Sequence, residues 1–181
     1  PIIVCLDTSG SMRGAPETIA KAVVLQAVRT AHAEQRGCLL ISFGGPDELV
    51  ERELAGGRAR HGEAGHGLAG LLDLMGQGFD GGTDLQAPIE RAIDRVHQAR
   101  WASADLLIVS DGEFGCTRPM LDALDAALET HRPMAVLAQI VPPESIGIGD
   151  FVFLALFHVL PSPYGRQYID GGCFAVDKAL R

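Results

Sequence analysis

The sequence predicts an α/β fold, a doubly wound and mostly parallel central sheet of about six strands with one antiparallel edge strand. Three observations predict it. Short apolar runs alternate with longer segments whose apolar residues recur every three or four positions, as buried strands interleaved with amphipathic helices do. Two of the runs lead directly into an aspartate and a Ser- or Gly-bearing loop, at Asp7 and Asp111, which reads as the loop at the carboxyl end of a parallel strand. One segment, residues 48–54, alternates charged with apolar side chains and fits a half-exposed strand at the sheet's edge.

Taken in order, Ile2, Ile3, Val4, Cys5 and Leu6 form the first strand, and Asp7-Thr8-Ser9-Gly10-Ser11 its loop. Pro16 sits where a first helical turn tolerates proline. Ile19, Val23, Ala27 and Ala31 then interleave with Ala20, Val24 and Val28 to mark a helix ending near Gly37. Cys38–Phe43 is a second buried strand, so the opening is a strand–helix–strand unit with a right-handed crossover. Gly44-Gly45-Pro46-Asp47 turns the chain into the antiparallel edge strand.

Residues 55–67, rich in Gly, Arg and His, read as a solvated loop. His61, Glu63 and His66 lack the i, i+4 spacing of a helical metal pair. Residues 68–75 predict a short helix and 76–82 a Gly-rich loop. Gly81-Gly82-Thr83-Asp84 then precede a helix carrying Ile89, Ala92, Ile93 and Val96, with Thr83 or Asp84 as candidate N-cap. Residues 104–110 predict a buried strand ending in Asp111-Gly112-Glu113. Thr117 and Pro119 open a helix with Leu121, Leu124 and Leu128 on one face, and residues 134–141 predict the next strand. Residues 151–159 predict a last strand, 161–172 a loop and 174–180 a short closing helix.

At 181 residues, 47% hydrophobic and 21% charged, the chain can bury one core unaided, and we expect a single domain over 1–181. Because it opens on a strand at Pro1, we expect it to be excised from a longer protein. A net charge of −8 and a pI near 5.1 argue against nucleic-acid partners and anionic membranes, both of which need a basic surface. The longest apolar run, residues 151–160, falls short of the roughly 20 residues that span a bilayer. Cys5, Cys38, Cys116 and Cys173 are scattered without a C-x-x-C pair, which implies free thiols and a cytoplasmic setting.

If the first strand is central, with Cys38–Phe43 on one side and residues 104–110 on the other, Asp7 and Asp111 flank the reversal of strand order, where such sheets bind ligands. Thr83 arrives at the same end. Asp7, Ser9, Ser11, Thr83 and Asp111 then offer only hard oxygens, which selects Mg²⁺, with Mn²⁺ or Ca²⁺ as substitutes. Two carboxylates balance a divalent charge and leave a coordination position for an outside carboxylate.

These three elements, Asp7-Thr8-Ser9-Gly10-Ser11, Thr83 in Gly-Gly-Thr-Asp and Asp111 in Ser-Asp-Gly-Glu, resemble the metal-ion-dependent adhesion site of von Willebrand factor type A domains, over roughly residues 1–141. The resemblance implies a Rossmann-like fold, metal contact by Ser9 and Ser11, state-dependent contact by Thr83, and direct or water-mediated roles for Asp7 and Asp111. Gly-Gly-Thr-Asp-Leu and Val-Ser-Asp-Gly-Glu-Phe-Gly-Cys-Thr are most similar to bacterial ViaA/CoxE-type members. That implies a non-enzymatic adaptor partnering a MoxR-class AAA+ ATPase or its target. Residues 142–181 do not resemble the tail of that subgroup.

The enzymatic alternative is a Mg²⁺-dependent phosphotransferase of haloacid-dehalogenase type. It needs a carboxylic acid two residues after Asp7, and that position is Ser9. The other alternative is a metal that only ties loops together. The sequence leaves Glu113 between a surface residue and a modulator of ligand charge preference.

Overall fold

The structure, a computed structural model, describes residues 1–55, 70, 73, 74, 76, 78, 81–112, 114, 115, 117–131 and 135–139. Its elements are β1 (Ile2–Asp7), α1 (Ala15–Ala33), β2 (Cys38–Phe43), β3 (Leu49–Ala55), α2 (Gln86–Val96), β4 (Asp105–Ser110), α3 (Arg118–His131) and β5 (Ala135–Gln139). A single 3₁₀ turn, Gly10–Met12, follows β1.

The sheet among the described residues has five strands in the order β3-β2-β1-β4-β5. β1 pairs in parallel with both β2 and β4, β4 pairs in parallel with β5, and β3 runs antiparallel to β2. The expected central position of the first strand and the antiparallel edge are both present. The strand expected at 151–159, the loop at 161–172 and the closing helix at 174–180 lie outside the described residues, as do His61, Glu63, His66 and Glu113. Gly70, Asp73 and Leu74 are helical, in keeping with the short helix expected over 68–75, and Gly76, expected to open the loop, is helical as well.

Strand alternation divides the core into two layers. On one face Ile3 and Cys5 of β1, Leu39, Ile41 and Phe43 of β2, and Leu106 and Ile108 of β4 pack against Ile89, Ala92 and Val96 of α2 and Met120 and Leu124 of α3. On the other face Val4, Leu6, Leu40, Leu107 and Val109 pack against Ala20, Val24 and Ala31 of α1. Helices on both faces make the sheet doubly wound, and β1 is buried from Ile3 to Asp7 because both of its edges and both of its faces are covered.

Helix boundaries differ from the sequence expectation where the backbone supplies its own stop. α1 ends at Ala33 rather than near Gly37, because Gln35 takes a left-handed φ of 53° and the Arg36 amide closes back onto the Ala31 carbonyl at 2.7 Å. At its other end Gly14, with φ of 88°, turns the chain from the 3₁₀ segment into the helix.

Candidate functional site

The carboxyl ends of β1 and β4 lie side by side where the strand order reverses, with β2 beyond β1 and β5 beyond β4. Three loops meet there. The loop after β1 is tied to β2 by Thr8, whose amide and hydroxyl both donate to the Phe43 carbonyl, at 2.8 and 3.1 Å. It is tied to the segment before α2 by the Gly10 amide, which donates to the Gly81 carbonyl at 3.3 Å. That segment is held in turn by the Asp84 amide, 2.7 Å from the Gly44 carbonyl. The backbone therefore fixes the loops relative to one another before any functional side chain is considered.

On this frame the structure brings Asp7, Ser9, Ser11 and Thr83 into one hydrogen-bonded cluster. The Ser9 amide donates to Asp7 Oδ1 at 2.9 Å, the 3₁₀ turn brings Ser11 Oγ to 3.1 Å from Ser9 Oγ, and Thr83 Oγ1 donates to Ser9 Oγ at 3.0 Å. Asp7, Thr8 and Ser9 are buried, Thr83 is half-buried and Ser11 is exposed, so the cluster grades from a buried carboxylate to a hydroxyl in solvent. Asp111, also buried, follows β4 next to it, close enough for its charge to act on Asp7.

Thr83 and Asp84, either of which the sequence allows as an N-cap, divide the work. α2 begins only at Gln86, and it is Asp84 Oδ1 that accepts the Gln86 amide at 2.9 Å. Thr83 makes no cap and turns its hydroxyl to Ser9 instead. Thr117, by contrast, does cap its helix, its Oγ1 accepting the Met120 amide at 3.3 Å.

Ser110, which the sequence reading treats only as the end of a strand, donates from Oγ to Asp7 Oδ2 at 2.6 Å and accepts the Gly112 amide at 3.1 Å. Parallel register explains the contact. Leu6 is paired with Val109, so the next residues, Asp7 and Ser110, are neighbours on the face that also carries Cys5 and Ile108. Gly112, at φ of 89°, lets the chain bend back so that its amide reaches that hydroxyl. A hydroxyl closing an otherwise apolar run is the one signal in the sequence that points to Ser110.

Electrostatics at the centre are set by burial. Desolvation pushes the Asp7 carboxyl above the ordinary aspartate value, hydrogen bonds from Ser110 and Ser9 pull it back, and the negative charge of Asp111 pushes it up again. Among the described residues no lysine or arginine stands beside Asp7; its partners there are hydroxyl and amide groups. Among the described residues no three His, Cys, Asp or Glu side chains gather as a potential metal cluster, so the donors here are mainly hydroxyls.

A family model for the von Willebrand factor type A domain matches residues 2–113, a span that contains all five candidate residues and Ser110. Among solved structures, the chain is similar to the conserved hypothetical protein BatB of Bacteroides thetaiotaomicron, with 17% identity, a TM-score of 0.60, and coverage of 79% of this chain and 67% of that one. It is similar to an aerotolerance-related membrane protein of Bacteroides fragilis NCTC 9343, with 14% identity, a TM-score of 0.58, and coverage of 88% and 80%. It is also similar to a von Willebrand factor type A protein of Catenulispora acidiphila, with 14% identity, a TM-score of 0.51, and coverage of 79% of this chain and 39% of that one. At such identities the likeness is one of fold.

Proposed function

The chain belongs to the von Willebrand factor type A domain family, and from that premise we propose that it is an adaptor that binds a partner protein through a divalent cation held by Asp7, Ser9, Ser11, Thr83 and Asp111. Domains of this family often mediate protein–protein interactions and are generally non-catalytic. The observation that carries the reading is the gathering of three hydroxyl oxygens beside the buried Asp7 at the sheet's reversal point, with the charge of the buried Asp111 close enough to act on Asp7.

The donor set fits Mg²⁺. In an octahedral shell with oxygens at about 2.1 Å, adjacent ligand oxygens stand about 3.0 Å apart. Ser9 Oγ lies 3.1 Å from Ser11 Oγ and 3.0 Å from Thr83 Oγ1. All donors are hard oxygens, so Mn²⁺ and Ca²⁺ are the substitutes. Bound there, the cation supplies a double positive charge with a coordination position for an outside carboxylate. Ser9, Ser11 and Thr83 serve as neutral donors, while Asp7 and Asp111 balance the charge. Ser11, exposed at the mouth, places the site within reach of a partner's Asp or Glu.

The resemblance of Gly-Gly-Thr-Asp-Leu and Val-Ser-Asp-Gly-Glu to ViaA/CoxE-type proteins supports a MoxR-type AAA+ ATPase, or its target, as that partner. Cys5 and Cys38 are free and buried, which supports a cytoplasmic setting. No helix among the described residues is long and apolar enough to cross a membrane. Ser9, where a phosphotransferase needs a carboxylic acid, is tied to Ser11 and Thr83, which supports a binding role over catalysis.

The test is calorimetric titration of Mg²⁺ together with thermal melts and capture of the cognate MoxR-type ATPase, each with and without EDTA. Saturable binding is expected, with loss of both stability and capture in EDTA and no Mg²⁺-dependent hydrolysis of p-nitrophenyl phosphate. A melt and a capture both indifferent to EDTA overturn the proposal.

A further inference from the structure

We propose that Ser110 is a positioning residue of this site, acting through Asp7, and that its hydroxyl sets how well the site holds a divalent cation. The inference rests on the metal reading above. Its basis is a relay of three groups from β1, β4 and the turn after β4: the Gly112 amide donates to Ser110 Oγ at 3.1 Å, and Ser110 Oγ donates to Asp7 Oδ2 at 2.6 Å. Because a hydroxyl has one proton, the amide bond from Gly112 orients that proton toward Asp7. With Oδ1 already accepting the Ser9 amide at 2.9 Å, both oxygens of Asp7 are fixed, one from its own loop and one from β4.

The relay also links the two carboxylates mechanically. Asp111 lies between Ser110 and Gly112 in sequence, so the residue that orients Asp7 belongs to the turn that carries Asp111. Ser110 is fully buried, as is Asp7, so no solvent molecule at the surface replaces the hydroxyl when it is removed. Groups that orient ligands from behind typically change metal affinity by about 10–100-fold. The same scale is expected here.

The experiment is titration of Mg²⁺ into wild type, Ser110→Ala and Ser110→Thr, with Tb³⁺ luminescence as a second report on the site and melting of the EDTA-treated proteins as a control for folding. Ser110→Ala is expected to bind Mg²⁺ at least about tenfold more weakly, and Ser110→Thr, which keeps the hydroxyl, within about threefold of wild type. Equal affinity in Ser110→Ala and wild type overturns the inference while leaving the metal reading intact. Equal weakening in both variants also overturns it, since the hydroxyl is then not the cause. A Ser110→Ala protein whose EDTA-treated melt shows that it is unfolded shifts the role to structure and counts against the proposal. A wild-type protein that binds neither Mg²⁺ nor Tb³⁺ overturns the metal reading itself.

Discussion

The two ends of the β1–β4 pair each carry an aspartate, and the chain treats them in opposite ways. At the amino end Asp105 meets Arg36, whose Nη2 lies 2.5 Å from Asp105 Oδ2 and 3.1 Å from the Pro1 carbonyl while Nη1 reaches Glu34. Its guanidinium is held above its ordinary value, first by the bond to Glu34 and then by Asp105. At the carboxyl end Asp7, more deeply buried than Asp105, is met by hydroxyls and an amide. Dipoles orient a carboxylate but do not cancel its charge, and a buried charge left uncancelled costs several kcal/mol. The contrast teaches that one end sets a cation against its carboxylate, while the other orients its carboxylate with hydroxyl and amide dipoles.

The strongest way to break this comparison is at Asp7. Asp7→Ala is expected to weaken Mg²⁺ binding by more than about 100-fold, beyond the range for loss of an orienting partner. Wild type in Mg²⁺ at a hundred times its dissociation constant should gain about 2.7 kcal/mol of stability, and the variant none. Asp7→Asn sharpens the point, because it keeps the shape and removes the charge. Without metal it should melt at or above wild type, since folding raises the Asp7 carboxyl's pKa. The sign follows from that shift: folding disfavours the ionised form, so ionised Asp7 costs stability as pH rises above the ordinary aspartate range. A metal-free Asp7→Asn protein melting well below wild type breaks the comparison.

A smaller effect is expected at the opposite end. Arg36→Met removes the brace on Asp105, whose side chain is 28% exposed, and should cost about 1 kcal/mol, as partly solvated pairs do. Chemical denaturation measures it. Mg²⁺ affinity should stay within about twofold, because the two sites lie at opposite ends of β1. A tenfold change in affinity would mean that the ends are coupled through β1, against the division drawn here.

These two ends also show what a sequence discloses and what it withholds. The position of Asp7, Ser9, Ser11, Thr83 and Asp111 at one end of the sheet was legible because each follows or precedes a periodic segment, so that end follows from chain direction alone. The central place of β1 was legible for the same reason. Ser110 was not, since its contact with Asp7 spans 103 positions and depends on strand register, which no local pattern states. The Arg36–Asp105 pair, 69 positions apart, was hidden likewise: it forms only because Cys38 and Asp105 both align with Ile2. The division of labour between Thr83 and Asp84 was left open because both are good caps, and only the position of Ser9 decides it.

The smallest expected effect tests whether the two ends differ in electrostatics alone or also in rigidity. Cys5 lies two residues before Asp7, and Cys38 opens β2 at the amino end. Burial pushes both thiols up to about 12, with Arg36 and the amino terminus pulling weakly against it at Cys38. Folded-state values raised above the ordinary thiol mean that the associated stability is intact below pH 9 and is lost as the pH climbs toward 12. At pH 8 both groups are protonated as well as shielded, so iodoacetamide should leave both unmodified in the native protein, with Mg²⁺ or with EDTA, and modify both in denaturant. Peptide mapping reads each separately. Because β1 and β2 pair in register along their whole length, the two sites should also open together. Labelling of Cys5 alone in EDTA would show the carboxyl end opening by itself without the cation. Equal protection in Mg²⁺ and in EDTA would show that Asp7 sits on a frame that stays closed in either condition.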